Sequence, residues 1–431
     1  MEYRPHAMAS AWQREGHDVT LIAGSYSHLR RSNPNVTKDG EEQVIDRMSF
    51  RFIRTKAYSG NGLGRILSWA EFVGKGWLAA PAIAKELRPD VVISSSTYPM
   101  DTWFAARVAR LARARLIHEI HDVWPMTPIE LGGHSPGHPL MRLIAKAERD
   151  AYRNSDAIVS ILPNVEPHVR ALGFATPVVH VPNGIEVTDA GEPAPAELVN
   201  LIEGLHAVGT KVVGYAGGMS LSNAMDTFVA AMGRLRDQPI TAVLLGDGEL
   251  RADLEAQANR LGAKVRFVGS VPKNQVRDIL RRMDVLYLGS KKSRLYEHGV
   301  SANKIFDYML TGVPIVDAWA TAHSPLVYSG CAIRAEAENP ASIADALVEA
   351  ASLPTEQVAN LGRRAIQYVR QNHALDRLAA DFLAALQPLA GQSDESPGPA
   401  ALTNTATRNA AAQASRFSPM TVPKPNSTAT T

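Results

Sequence analysis

The run Asn303-Lys304-Ile305-Phe306-Asp307-Tyr308-Met309, followed by Thr311-Gly312-Val313-Pro314-Ile315-Val316, carries the strongest local signal for chemistry. It reads as a loop, a helix starting at Asn303, a glycine stop at Gly312 and then a strand. A helix start offers unpaired backbone N–H groups and a partial positive charge that stabilise a diphosphate, and Lys304 adds a point charge. Asp307, one turn further on, faces the same crevice and offers a carboxylate to ribose hydroxyls. The same spacing also fits a helix merely capped by Asn303, with Lys304 and Asp307 as solvated surface.

Gly217-Gly218 follows the strand run 212–216 and precedes a helix expected to start at Asn223. Glycines in that place let the backbone approach phosphate closely. Gly246-Asp247-Gly248-Glu249 stands after the next strand run and Val271 after the one beyond it. Each loop alone is a weak signal, because Gly and Asp dominate ordinary turns. Two of them at the carboxyl ends of neighbouring strands are stronger, since ligands bind at that edge of an open α/β sheet. The candidates for holding a phosphate-bearing ligand in this half are Gly217, Gly218, Asn223, Gly246, Asp247, Gly248, Val271, Lys304 and Asp307.

In the first half, Leu116-Ile117-His118-Glu119-Ile120-His121-Asp122-Val123-Trp124-Pro125 leads from a strand into a loop at the same edge. His121 and Asp122 are the catalytic candidates there, placed to bind or orient an acceptor by hydrogen bonding. The plainer alternative makes His121 a satisfied polar residue at a strand end. No G-x-x-x-x-G-K-[ST] loop, H-E-x-x-H helix or G-x-S-x-G elbow occurs, and no cluster with metal-ligand spacing stands out.

Twelve short β-branched runs, separated by Ala/Leu/Arg-rich stretches of helical period, position these residues. Six lie at 19–23, 50–54, 91–95, 116–120, 157–161 and 178–181, and six at 212–216, 242–245, 265–268, 285–288, 314–316 and 332–334. The expected fold is α/β with two doubly wound, Rossmann-like domains. Pro182-Asn183-Gly184 marks the boundary, giving an N-terminal domain at 1–184, a C-terminal domain at 185–375, a helix at 376–390 and a disordered tail at 391–431.

The 45 Lys and Arg against 43 Asp and Glu give a net charge of +2, which makes no case for a nucleic-acid partner. Cys331 is the only cysteine, so no intramolecular disulfide framework exists and a reducing cytosol fits. No run of about 18 apolar residues suggests a membrane span, and 67–84, which comes closest, reads as an amphipathic helix. Arg107, Arg110, Arg113 and Arg115 after Trp103-Phe104 suggest a basic helix able to rest on anionic lipid, although such helices are commonly just solvated.

From residue 1 to about 389 the chain resembles the family 4 glycosyltransferases of the GT-B fold, particularly the bacterial L-fucosamine transferase group of O-antigen and capsule assembly. The matching segments are Glu2-Tyr3-Arg4-Pro5, Gly16-His17-Asp18-Val19-Thr20, Ser25-Tyr26-Ser27-His28-Leu29-Arg30, Asp122-Val123-Trp124-Pro125, Pro182-Asn183-Gly184, Gly246-Asp247-Gly248 and the run from Asn303 to Met309. The resemblance implies a nucleotide-sugar donor, UDP-linked, held by the C-terminal domain. It also implies a lipid-linked or glycan acceptor held by the N-terminal domain, retention of configuration, and no obligatory metal or cofactor. A cytoplasmic location, peripheral at the inner face of the plasma membrane, goes with it. Of the family's two acids eight positions apart, the second falls on Asp307 and the first on Gly299, so one acid is absent. The family's Arg and Lys after the first C-domain strand are replaced by Gly218 or Met219 and by Asn223, leaving Lys291, Lys292, Arg294 and Lys304 to supply positive charge.

The pattern at 8–15 reads as a helix with no strand ahead of it, whereas a doubly wound domain places its first strand at the sheet centre. The resemblance likewise implies a strand and a glycine loop ahead of Glu2-Tyr3-Arg4. The expectation is a chain begun one strand late, with 19–23 and 91–95 either leaving a gap in the sheet or forced to pair directly; the plainer alternative is a divergent fold that starts with a helix. Two other readings share the crevice: a sugar-nucleotide epimerase of the same fold, and an inactive remnant that binds without turnover.

Overall fold

The computed structural model describes residues 3–27, 30, 32–60, 62–187 and 191–386. Thirteen strands are present among them. The first half contains β1 Thr20–Gly24, β2 Glu41–Ile45, β3 Met48–Ile53, β4 Val91–Ser94, β5 Arg115–Ile120, β6 Ala157–Ser160 and β7 Val178–His180. The second contains β8 Lys211–Ala216, β9 Ile240–Leu245, β10 Val265–Val268, β11 Val285–Gly289, β12 Ile315–Ala318 and β13 Ala332–Arg334. These last six form one parallel sheet in the order β10-β9-β8-β11-β12-β13. Their near-continuous apolar runs follow from burial on both faces, and one hydrophobic cluster lies on each side of the sheet.

The first half holds two sheets, β1-β3-β2 and the parallel β4-β5-β6-β7. Among the described residues no strand stands between β1 and β4, and the two do not pair, so of the two expected outcomes the gap is found and direct pairing is not. Side chains close it in place of backbone. Leu21 and Ala23 of β1 share a cluster with Ile93 of β4, and Ile22 shares another with Val92. Every residue of β1 is half-buried, whereas β8, central in its sheet, is buried after its first residue.

One strand escaped the sequence reading. Glu41-Glu42-Gln43-Val44-Ile45 is too polar to stand out, yet β2 pairs antiparallel with β3. Asp46 and Arg47 both have positive φ, 51° and 65°, the conformation of a two-residue primed hairpin turn. The first helix also runs further than 8–15, covering Tyr3–Arg14.

The helix Leu375–Ala384 returns from the second half to pack on this first helix. Trp12 Nε1 donates to the Ala379 carbonyl at 3.0 Å, and its ring meets Phe382 edge-on. The remainder of the helix expected at 376–390 beyond residue 386, and the tail 391–431, lie outside the described residues. His28 and Leu29 of the segment 25–30 do so too. The basic helix ends earlier than its arginines suggest: it spans Asp101–Ala112, Arg113 caps it in the left-handed conformation, and Arg115 belongs to β5.

Candidate functional site

The two glycine loops of the second half interlock through their backbones. Gly217 N–H donates to the Leu245 carbonyl at 2.9 Å, and Met219 N–H to the Asp247 carbonyl at 2.9 Å. A Cβ at Gly246, whose φ is +131°, would lie 2.1 Å from the Gly217 oxygen, and one at Gly248 would lie 2.4 Å from the Met219 oxygen. These two glycines are thus required by the approach of one loop to the other. Asp247 is exposed and its Oδ1 accepts from the adjacent Gly248 N–H at 2.8 Å, a bond within the turn itself. Gly246→Ala should lower stability by about 1–3 kcal/mol, because neither backbone can yield; an unchanged melting temperature would contradict the interlock.

Gly218 differs, since nothing approaches the place of its Cβ closer than 4.0 Å. Its carbonyl is turned inward, accepting from Tyr215 Oη at 2.8 Å and Asn223 Nδ2 at 2.9 Å. Beside this opening stands Lys304, in the first turn of the helix Asn303–Met309. Its Nζ donates to Asn223 Oδ1 at 2.6 Å and reaches Tyr215 Oη at 3.4 Å, with the rings of Tyr215 and Trp319 at 5.1 and 5.9 Å. Among the described residues no carboxylate pairs with it, and burial brings its pKa down to about 8. The helix is only seven residues long, so its dipole is small and the charge at this corner rests on Lys304. Lys304 is therefore not solvated surface. Asn223 uses its whole amide to tie Lys304 to the glycine loop.

Asp307 is buried, with its carboxylate against Lys273 Nζ and 3.6 Å from Arg277 Nη2, both on the helix Lys273–Arg281. Spacing gave no sign of these two cations. Of the other charge candidates, Lys291 is engaged by Asp226 at 2.8 Å and Glu338 at 3.3 Å, and Lys292 by Glu336 at 2.9 Å, while Arg294 is exposed. Val271 packs half-buried against the hydrophobic core of this half.

In the first half, His121 sits just past β5 with Nε2 2.9 Å from Glu119 Oε2 and 2.9 Å from Ser95 Oγ. Glu119 is buried and also receives Arg4 Nε at 2.8 Å, while Arg4 donates from Nη1 to the Pro182 carbonyl at 2.6 Å and from Nη2 to the Val181 carbonyl at 2.8 Å. Burial pushes the Glu119 pKa up, but the Arg4 guanidinium and His121 outweigh it and hold the carboxyl below its usual range. Asp122 is set differently. Its Oδ1 accepts from Thr127 Oγ1 at 2.6 Å and Val123 N–H at 3.0 Å, and burial raises its pKa despite both. Arg4, Glu119 and Ser95 are the site residues that motif spacing missed. An acid inside the apolar run 116–120 was the available signal, because a buried carboxylate demands a partner.

The two halves meet over these residues. The Asn183 N–H donates to Ser301 Oγ at 2.9 Å and its Nδ2 to the Ser301 carbonyl at 2.6 Å, while Asn164 N–H donates to the His298 carbonyl at 3.0 Å. Tyr296 feels Asp122 across the junction, and its ring lies 6.1 Å from Trp319, which in turn faces Lys304. A file of side chains thus links Asp122 to Lys304. Gly299, with φ +92°, leaves no room for a side chain, since a Cβ there would lie 2.6 Å from Pro163 of the first half and 2.8 Å from the His323 carbonyl.

Residues 1–184 match the glycosyl transferase 4-like domain, and residues 210–352 match the glycosyl transferases group 1 domain. The chain is 31% identical over 186 residues to a 2-deoxystreptamine glucosyltransferase of Streptomyces kanamyceticus, covering 41% of this chain and 46% of that protein. It is 27% identical over 161 residues to the putative colanic acid biosynthesis glycosyl transferase WcaI of Escherichia coli K12, covering 36% and 40%. The matched stretches span less than half the length of these curated relatives. Among solved structures, Anabaena Alr3699/HepE in complex with UDP and glucose superposes with a TM-score of 0.58 at 17% identity, covering 80% of this chain and 87% of that one. Sucrose-phosphate synthase from Thermosynechococcus elongatus gives 0.65 at 17% identity, covering 88% and 90%. At such identities the superpositions establish the fold.

Proposed function

Both halves of the chain being glycosyltransferase domains in the GT-B arrangement, we propose that it moves a sugar, with retention of configuration, from a UDP-linked donor to a lipid-linked or glycan acceptor in cell-envelope polysaccharide synthesis. The observation that carries the donor half of this reading is Lys304, a cation with no carboxylate partner among the described residues, beside the open face of Gly218. Such a charge is costly until an anion meets it, and a diphosphate is the anion that a glycine loop and an ammonium together fit. The UDP assignment draws on the UDP-bound relative of the same fold, and the envelope role on the colanic acid relative. The domain limits 1–184 and 185–375 go with the reading, the hinge lying at Pro182-Asn183-Gly184.

The reaction follows from where charge develops. As the anomeric C–O bond breaks, the electron pair leaves with the diphosphate, and Lys304 stabilises that charge more in the transition state than in the bound donor. Lys304 thereby fills the role a metal ion would otherwise have, and chelators should leave turnover unchanged. Asp307 takes the ribose hydroxyls by exchanging its exposed partner Lys273. With Gly299 in place of an acid, the sugar is faced from the first half, where His121 and Asp122 orient the acceptor hydroxyl for attack on the same face.

Calorimetry across a panel of nucleoside diphosphates and their sugars, repeated from neutral to alkaline pH, tests the donor site. The Lys304 ammonium exists below about 8, so affinity for the diphosphate should be full at neutral pH and fall as pH rises through that value. Affinity for the free nucleoside should not follow. A panel in which no diphosphate binds, or binding flat across this range, would sink the Lys304 assignment. Product anomers resolved by NMR test retention, and diphosphate release without any acceptor would point to the epimerase reading instead.

A further inference from the structure

At the end of the helix Asn303–Met309 opposite to Lys304, the second half holds a cavity of about 260 Å³. Three guanidiniums line it. Arg277 and Arg281, four residues apart, share one face of the helix Lys273–Arg281, and Arg370 comes from the last turn of the helix Thr355–Asn372. Leu310, Thr311 and Ile366 complete the wall, and Leu310 and Ile366 belong to the hydrophobic core of this half. The whole chain carries only +2, so three cations on one small cavity are a local concentration of charge. Roughly 10 Å of helix, at about 1.5 Å per residue, runs from Lys304 to Leu310, so the cavity is distinct from the diphosphate corner.

Asp278, on the same helix as two of these arginines, accepts from Ala194 N–H at 2.8 Å and pairs with Arg282 at 3.3 Å. Arg281 is exposed and enters no ion pair among the described residues. Arg277 is the link to the donor side: its Nη2 lies 3.6 Å from Asp307 Oδ1, while Lys273 meets Oδ2 of the same carboxylate. A guanidinium presents a planar fork of donors that matches two oxygens of a phosphoryl group at once, and three of them favour a dianion over a single carboxylate. The volume lies at the lower limit of small-molecule pockets, too little for a nucleotide sugar. A phosphate monoester with a small organic body fits the whole lining, its oxygens on the arginines and its carbons on Leu310 and Ile366.

We propose that this cavity is a second anion site, which takes a small phosphate monoester and strengthens donor binding through Arg277. A dianion there draws the Arg277 guanidinium towards itself and weakens its hold on Asp307, so the carboxylate accepts ribose hydroxyls at less cost. Linkage makes the effect reciprocal: a bound nucleoside diphosphate tightens the monoester by the same factor. The coupling rests on the ribose role proposed above for Asp307, whereas the anion site stands on the cavity and its arginines alone.

The experiment is calorimetric titration of the full chain with glycerol 2-phosphate, alone and with saturating UDP. The expected result is binding that persists in Lys304→Met, falls at least ~10-fold in Arg281→Gln with Arg370→Gln, and tightens about 5-fold or more with UDP present. Arg281 and Arg370 are exposed, so the melting temperature of the double variant should match the parent. No binding of glycerol 2-phosphate, an affinity that the arginine pair leaves unchanged, or binding lost with Lys304→Met would overturn the site; equal affinity with and without UDP would overturn the coupling. UDP that itself fails to bind would count against the proposed reaction instead, and the titration without UDP still decides the site.

Discussion

Replacing Lys304 by Met should stabilise the free protein and weaken donor binding, two effects of opposite sign from one substitution. Among the described residues this ammonium meets only neutral groups, Asn223 Oδ1 at 2.6 Å and Tyr215 Oη at 3.4 Å, and burial already draws its pKa down to about 8. Methionine fills a similar volume without the charge, so unfolding free energy should rise by roughly 1–3 kcal/mol, the scale on which a polar group is penalised for burial. Donor binding should weaken by at least about 1.5–3 kcal/mol, the usual worth of a hydrogen bond to a charged group. Turnover should fall further, because the charge on the departing diphosphate grows as the bond breaks. Thermal melting and calorimetry read the two signs separately. A variant that melts lower and binds donor as before would place Lys304 in a purely structural role.

What the sequence disclosed and what it hid divide along a physical line. Strand runs, the Gly312 stop and the helix from Asn303 were legible because period, β-branching and turn residues are local properties. A fault between β1 and β4 was legible because element order constrains sheet topology, but whether it would be a gap or a direct pairing was not. Strand β2 was not, since Glu41 and Glu42 conceal a pairing fixed by the primed turn at Asp46-Arg47. The reason for the glycines was also misplaced: Gly246 and Gly248 serve backbone approach between loops, and only Gly218 keeps open space. Long-range partners were the largest omission. Arg4 is 115 positions from Glu119 and 178 from Pro182, and no local pattern encodes such a meeting.

That meeting yields the second large effect. Arg4→Met should destabilise the protein by about 3–5 kcal/mol, the cost of leaving one member of a buried ion pair alone. Glu119 would keep its charge in a buried place with His121 and Ser95 to answer it, and the Val181 and Pro182 carbonyls just after β7 would each lose a donor. Those carbonyls lie directly before Asn183, which holds Ser301 of the second half, so the loss should loosen the junction as well as the first half. Removing both charges, as Arg4→Met with Glu119→Gln, should restore much of the stability, because a neutral amide is far less costly to bury than an unpaired carboxylate. It should not restore turnover. Glu119 orients His121 through a 2.9 Å contact, and glutamine can meet Nε2 only as a neutral partner, so the expected signature is a lowered kcat with donor affinity preserved. If the double variant melts as low as Arg4→Met alone, the ion pair is not what Arg4 contributes, and its bonds to the Val181 and Pro182 carbonyls carry the effect.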